Sequence, residues 1–134
     1  MSSWAGVTRY SSYLVAVALA VHGLIHFLGV VVYFELLQLA DLPYKTTLLG
    51  GAVAVGGTGI RVFAVLTAVA GVGFLVSAVA LVTNWRYWWS LLFAVTAFSL
   101  VLTALDWTVA SMGVLANLAI LVGLVGYRFR ATVR

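Results

Sequence analysis

The sequence predicts an all-α fold, a polytopic membrane four-helix bundle, and three observations carry that prediction. Of the 134 residues, 65% are hydrophobic and 7% are charged, whereas a typical soluble domain is ~45–50% apolar and ~25% charged. The apolar residues form four long runs, and most of the few charged residues lie between those runs. This composition excludes an ordinary soluble domain, and it is the opposite of what a disordered chain requires.

Four candidate transmembrane spans follow from the lengths of the apolar runs. A bilayer core of ~30 Å requires ~20 apolar residues in a helix. The first run is the longest, so its helix can cross with some tilt or project beyond the lipid. The whole chain is expected to form one membrane domain, with spans at about 13–39, 62–82, 87–105 and 112–127.

The connections between the spans are predicted to differ in length. Asn84 to Arg86 forms one tight turn, and Asp106 to Ser111 forms another. The long outer loop covers residues 40–61, and its Pro43 stops the first helix because proline disfavours helix at the preceding residue. Residues 48–60 are apolar but contain five glycines. They are either a loop, re-entrant segment or short helix over the bundle, or an early start of the second span.

The basic residues predict the orientation of the bundle in the cell membrane. Two of them, Lys45 and Arg61, flank the side that holds the long loop. Five flank the other side: Arg9, Arg86, Arg128, Arg130 and Arg134. An excess of Lys and Arg marks the cytoplasmic side, so both termini are predicted to be cytoplasmic.

Composition also excludes several kinds of site. The chain has no cysteine, so disulfides, thiolate metal sites, iron–sulfur clusters and cysteine nucleophiles are excluded. The net charge of +4 comes from residues that sit singly between apolar runs. No basic stripe exists that could follow a phosphate backbone, and nucleic-acid binding is therefore not expected.

A histidine pair in the first span is the strongest candidate for chemistry. His22 and His26 are spaced i and i+4, so they share one helical face. Tyr33 falls on the same face two turns later. A zinc-protease motif would need a glutamate after the first histidine, and Gly23 occupies that position. A metalloprotease is therefore excluded, and the pattern indicates no particular reaction.

Three interpretations of the histidine pair remain open. The two imidazoles can ligate a divalent metal, or one can be an axial haem ligand, with further groups supplied by other helices. They can relay protons or bind another ligand. The packing alternative is that each histidine forms a hydrogen bond across a helix interface.

Polar residues in the third and fourth spans form a second candidate group. Four of them recur at helical spacing on the third span: Thr96, Ser99, Thr103 and Asp106. Asn117 in the fourth span carries both a donor and an acceptor. Facing the histidines, these residues would line a polar pocket, with Asp106 as counter-ion, proton acceptor or partner that orients a histidine. The packing alternative is that they hold helices together.

Glu35 is predicted to lie outside this pocket. By the 100° rotation per helical residue, it points roughly opposite to His26. It is near the outer interface, where Lys45 and Arg61 are the candidate partners for its carboxylate.

Several short motifs give the chain a resemblance to a known group. They are the His22–His26 segment with Gly29, then Leu42-Pro43, then Gly59 to Arg61, then Trp107 with Gly113 and Asn117. With this order the chain resembles a family of small four-span prokaryotic membrane proteins without an assigned activity, and it is superficially similar to DoxX-like proteins. The resemblance implies a four-helix membrane fold and supplies no mechanism. Residues 108–111 are less charged than the family pattern, which weakens any expectation of an anion or metal site there.

Three functions follow as hypotheses. The first is a non-enzymatic protein that binds a small hydrophobic ligand, or an accessory subunit of a larger membrane complex, with self-association through small residues as a further expectation. The alternative is a haem- or metal-binding redox protein that uses His22 and His26. A transporter or channel ranks third, because four spans leave little room for a pathway.

Overall fold

The computed structural model describes residues 3–133 of the chain. Within that range the helices are α1 (Ser3–Tyr33), α2 (Gly56–Val82), α3 (Trp88–Leu105) and α4 (Trp107–Thr132). Between α1 and α2, β1 (Thr47–Leu48) pairs antiparallel with β2 (Val53–Ala54) around a short 3-10 turn. Arg134, one of the five basic residues used to predict orientation, lies outside the described residues.

All four helices are long and apolar enough to cross a membrane, which confirms the all-α membrane bundle. The apolar segments are Thr8–Tyr33, Gly56–Val82, Trp88–Leu105 and Trp107–Thr132. The side chains that project outward from them are themselves apolar and more than half exposed, for example Val21, Val69, Val101 and Val122. Such a surface fits hydrocarbon rather than water.

Consecutive helices pack antiparallel. In α1 and α2, Tyr33 faces Phe63 near one end, and Gly23 faces Gly71 further along. α2 packs on α3, and α3 packs on α4, whereas α1 and α4 lie further apart. We call the end with residues 34–55 and the α3–α4 junction the hairpin end. The opposite end, with both termini, is the terminal end.

Two glycines allow α1 and α2 to approach closely. A Cβ atom at Gly23 would lie 2.8 Å from the Gly71 carbonyl oxygen. A Cβ atom at Gly71 would lie 2.7 Å from the Gly23 carbonyl oxygen. Small residues permit this backbone-to-backbone contact between membrane helices. The contact sets the position of α1, and therefore of the histidines that flank Gly23.

The buried side chains form two apolar clusters, and several polar side chains are buried with them. Toward the hairpin end, Tyr33, Ile60 and Phe63 belong to one cluster. Toward the terminal end, Leu19 and Leu92 belong to the other, together with Phe74. Four polar residues are also close to fully inaccessible: Ser77, Thr96, Ser99 and Asn117.

The first helix ends earlier than predicted, at Tyr33 rather than near residue 39. Glu35 adopts a left-handed conformation with φ 59°. The Leu36 amide then donates to the Val31 carbonyl at 2.8 Å, and the Glu35 amide donates to the Val32 carbonyl at 2.9 Å. This is the Schellman pattern that closes a helix. The end is therefore set well before Pro43, the stop signal used in the prediction.

The fourth helix begins earlier than predicted, at Trp107 rather than near residue 112. Asp106 alone separates α3 from α4. Its carbonyl accepts from the amides of Val109 and Ala110 at 3.1 and 3.0 Å, which starts the new helix at once. The predicted turn of Asp106 to Ser111 is therefore replaced by a one-residue break and a non-helical residue, Ala110, with φ −109° and ψ 19°.

Residues 48–60 divide between the two predicted alternatives. Leu48 to Ala54 form the short hairpin, in which Gly50 and Gly51 take φ values of 64° and 95°. These values favour glycine because it has no Cβ. From Gly56 onward the chain is already α2. The second span therefore starts earlier than residue 62, and the hairpin is the part that lies over the bundle end.

Candidate functional site

A cavity of about 640 Å³ lies in the half of the bundle toward the hairpin end. It extends along α1 from His22 to Tyr33, a distance of roughly 16 Å at 1.5 Å per helical residue. α2, α3 and α4 supply further walls, and residues 39–42 border it at the hairpin end. Pockets of ~300–1,000 Å³ are the usual size for small-molecule sites.

Five of the eight predicted site residues line this cavity. Its surface is otherwise mostly apolar, with Leu102, Val109 and Ala116 among the lining residues. The five predicted residues are His22, His26, Tyr33, Thr103 and Asp106. They come from α1, α3 and the α3–α4 junction. The helical spacing predicted that these residues lie on helix faces that meet.

Asn117 and Ser99 lie behind the histidines and connect three helices. Asn117 Oδ1 is 3.1 Å from His22 Nε2. The Asn117 amide nitrogen donates to Ser99 Oγ at 2.9 Å and to Thr103 Oγ1 at 3.2 Å. Ser99 Oγ lies 2.9 Å from His26 Nε2. The side chains of α1, α3 and α4 thus form one continuous hydrogen-bonded network.

The hydrogen-bond partners assign a direction to each bond, and with it a tautomer to each histidine. Thr103 donates its hydroxyl proton to the Ser99 carbonyl at 2.9 Å, so its oxygen accepts from Asn117. Asn117 Oδ1 therefore faces His22, and His22 Nε2 is the donor. Ser99 Oγ accepts from Asn117, and among the described residues His26 Nε2 is the acceptor within reach of its own proton, which assigns Ser99 as the donor of that bond.

The two histidines consequently carry their protons on different nitrogens. A neutral imidazole has one N–H and one bare nitrogen. His22 has its proton on Nε2 and a bare Nδ1, whereas His26 has a bare Nε2 and its proton on Nδ1. Among the described residues, neither Nδ1 atom has a hydrogen-bond partner. No buried side-chain nitrogen of the described residues is left without a partner, so each unpartnered Nδ1 is accessible. Since both residues line the cavity, the pair offers it one acceptor and one donor.

A second polar cluster closes the hairpin end of the cavity. Tyr33 donates its hydroxyl proton to Asp106 Oδ2 at 2.6 Å. Lys45 pairs with the other oxygen of the same carboxylate and lies 3.4 Å from Thr108 Oγ1. The Asp106 carboxylate is 8% exposed, so its charge is balanced inside the protein rather than by solvent. The partners of the Asp106 carboxylate are thus Lys45 and Tyr33, and no histidine of the described residues is hydrogen-bonded to it.

Thr96 and Glu35, for which the sequence also gave a prediction, do not line the cavity. Thr96 is fully buried and donates to the carbonyl of Leu92 on its own helix at 2.6 Å, so it does not join the pocket. Glu35 lies outside the cavity, and its carboxylate is 3.4 Å from Arg61 Nη2. Both side chains of that pair are more than half exposed. Arg61 rather than Lys45 is therefore the partner of Glu35.

Sequence reasoning missed the contribution of α2 to the site. The ring of Phe74 meets that of His22 edge-on at 4.6 Å and stacks on that of His26 at 5.7 Å. Thr67 and Phe63, also on α2, line the cavity. Lys45 is predicted from the sequence to flank the spans as a basic residue at the interface. In the structure it pairs with the buried carboxylate of Asp106. An aromatic among small apolar residues gives no periodic signal that could have singled out Phe74.

The arrangement of the histidines bears on the metal or haem alternative. Their rings are 5.2 Å apart and edge-to-face, and both Nε2 atoms already have hydrogen-bond partners. Within residues 3–133, no group of three or more His, Cys, Asp or Glu is placed to hold a metal ion. A metal held by the pair would have to bind at the Nδ1 atoms of His22 and His26. Its remaining ligands would have to come from groups other than His, Cys, Asp and Glu side chains.

Comparisons with protein-family models, with curated proteins and with solved structures returned no match to this chain.

Proposed function

We propose that this protein is a non-enzymatic membrane protein that binds a small, mostly apolar molecule with a polar end between spans one, three and four. The observation that carries the proposal is the cavity between α1, α3 and α4, with further walls from α2, which combines apolar walls with a histidine pair whose Nδ1 atoms have no hydrogen-bond partner in the described part of the chain. A mostly apolar pocket with a few convergent polar groups is the usual form of a ligand site.

The position of the cavity supports a ligand that arrives from the membrane. Ile25 and Leu28 on α1 and Met112 on α4 line the cavity and are 55%, 42% and 75% exposed. They form an apolar rim on the side where α1 and α4 lie apart. A molecule dissolved in the bilayer can reach the cavity there without crossing a polar surface.

A co-purification experiment with a cavity-filling variant tests the proposal. The protein is extracted in detergent, and the small molecules bound to it are identified by mass spectrometry. Ala116→Phe places a ring in the cavity, whereas Ala119→Phe adds the same ring to an exposed position on the same helix. We expect a stoichiometric molecule with the wild type and Ala119→Phe, and its loss in folded Ala116→Phe. Equal recovery from both variants would contradict the proposal.

The same preparation tests the remaining hypotheses. A coloured or metal-containing protein whose absorption depends on His22 and His26 would replace this proposal by the haem or metal alternative. A second polypeptide in fixed ratio would support an accessory subunit of a larger complex. We also propose the cell membrane as the location, with cytoplasmic termini, supported by Arg9, Arg86, Arg128 and Arg130 at the terminal end. Membership of the small four-span family stays a prediction.

A further inference from the structure

We infer that the cavity selects an uncharged head group that both donates and accepts a hydrogen bond, as the hydroxyl of a long-chain alcohol does. The inference rests on the proposed binding function and adds the chemical class of the ligand. It follows from the proton positions that the network imposes on His22 and His26.

The histidine pair is complementary to a hydroxyl group. The bare Nδ1 of His22 accepts a proton, and the N–H at Nδ1 of His26 donates one. One hydroxyl group can make both hydrogen bonds, because its oxygen accepts from one nitrogen while its proton is donated to the other. The two rings are close neighbours, with centroids 5.2 Å apart, so one head group can lie against both. An ether or ketone satisfies His26 alone and leaves the His22 nitrogen without a partner.

The charges around the cavity disfavour an ionised head group. The Asp106 carboxylate and the Lys45 ammonium already neutralise one another. Asp41 also lines the cavity, but it lies in the exposed connection after α1 rather than at the depth of the histidines. A carboxylate or ammonium beside His22 and His26 would therefore lack a counter-ion, and burying an unpaired charge is costly.

The remaining cavity surface suits a single hydrocarbon chain. The apolar rim of Ile25, Leu28 and Met112 lies on the side that faces lipid. A head group at the histidines can therefore leave its tail between α1 and α4, in an apolar environment throughout.

Ser99 is a positioning residue in this scheme. It is fully buried, does not line the cavity, and donates to His26 Nε2. Ser99→Ala removes that donor, so His26 is free to move its proton to Nε2 and present a bare Nδ1 to the cavity. Thr96→Ala is the matched control, because Thr96 is buried on the same helix and its hydroxyl donates to the Leu92 carbonyl of that helix rather than to a histidine.

The test is binding of four matched probes to the full chain in lipid nanodiscs: dodecanol, dodecyl methyl ether, dodecylamine and dodecanoate. Protein-free nanodiscs measure partition into lipid. We expect saturable dodecanol binding about tenfold tighter than that of the ether, which loses one hydrogen bond, and no saturable binding of the two charged probes. Ring ¹⁵N NMR reports the tautomers, and we expect His22 protonated on Nε2 and His26 on Nδ1, with His26 altered in Ser99→Ala but not in Thr96→Ala.

The outcomes separate the two proposals. If none of the probes binds beyond protein-free nanodiscs, the binding function proposed for the cavity is contradicted. If probes bind but the ether or a charged probe equals dodecanol, or if both histidines carry the same tautomer, the head-group selection is overturned while the binding function stands. Loss of the alcohol preference in Ser99→Ala, with the preference kept in Thr96→Ala, would support the selection.

Discussion

His22 and Asn117 connect α1 to α4 through a hydrogen bond of 3.1 Å, although these helices otherwise pack against other neighbours. In hydrocarbon a bond of this kind has no competition from water. The same amide holds Ser99 and Thr103 on α3. Asn117 is therefore the residue through which three helices are joined, and it also determines which nitrogen of His22 carries the proton.

Asn117→Ala should destabilise the bundle. The substitution removes three hydrogen bonds and leaves the half-buried donor of His22 without its acceptor. We expect a loss of about 1–3 kcal/mol in the free energy of unfolding, measured by denaturation in mixed micelles. Leu118→Ala is the control, because Leu118 is adjacent on α4 and exposed. Equal losses in the two variants would show that the network adds nothing beyond side-chain volume.

Gly71→Val should separate α1 from α2. Its Cβ would meet the backbone oxygen of Gly23, which cannot move aside as a side chain can. We expect destabilisation of about 1–3 kcal/mol, measured as a lower midpoint of thermal unfolding. At Gly126 an added Cβ meets no atom within 4 Å among the residues that the structure describes, so Gly126→Val should leave the midpoint nearly unchanged. A wild-type midpoint for Gly71→Val would refute the close crossing.

Asp106→Asn should loosen the connection between α1 and α2. The substitution leaves the Lys45 ammonium without its counter-ion at a side-chain position that is 19% exposed. We expect faster amide hydrogen exchange in residues 39–48, which Lys45 anchors to the α3–α4 junction. Glu35→Gln breaks the exposed pair with Arg61 and should change stability by less than about 0.5 kcal/mol. Unchanged exchange in Asp106→Asn would mean that Lys45 does not hold this segment.

His26→Ala should impair ligand binding more than Glu35→Ala. His26 lines the cavity, whereas Glu35 lies outside it with an exposed side chain. We expect His26→Ala to weaken dodecanol binding by at least about tenfold, which corresponds to one lost hydrogen bond. Glu35→Ala should bind as the wild type does. Similar affinities for the two variants would indicate that the ligand does not contact the histidine face.

Single cysteines should report the orientation of the bundle without background, because the chain has none of its own. Ala52→Cys lies in the exposed hairpin, and Ala131→Cys lies near the exposed end of α4. With cytoplasmic termini, a membrane-impermeant maleimide should label Ala52→Cys in intact cells and Ala131→Cys only after lysis. The reverse pattern would place the termini outside.

Some features of the site could be read from spacing alone. His22, His26 and Tyr33 share a face because they are spaced i, i+4 and i+11, and all three line the cavity. Ser99 and Thr103 likewise share a face on α3. Spacing could not exclude Thr96, which follows the same period, because its hydroxyl has an equally good acceptor in the Leu92 carbonyl.

Helix ends were predicted less well than helix positions. Glu35 closes α1 in a left-handed conformation that is more often supplied by glycine, so composition gives no warning of it. Asp106 was expected to begin a longer turn, yet it serves both α3 and α4 as their single connecting residue. In both places backbone hydrogen bonds, rather than side-chain type, determine where the helix ends.

The sequence by itself determined that this protein has apolar surroundings and is built from four long helices. Its hydrophobic runs require helices that satisfy their own backbone hydrogen bonds in lipid, and this holds for any packing of the four spans. Only the tertiary structure decided which polar groups meet. The Lys45–Asp106 pair, the Phe74 contacts and the proton positions of His22 and His26 depend on how neighbouring helices are rotated and shifted. Those relations arise from contacts between distant segments, which periodicity within one helix does not encode.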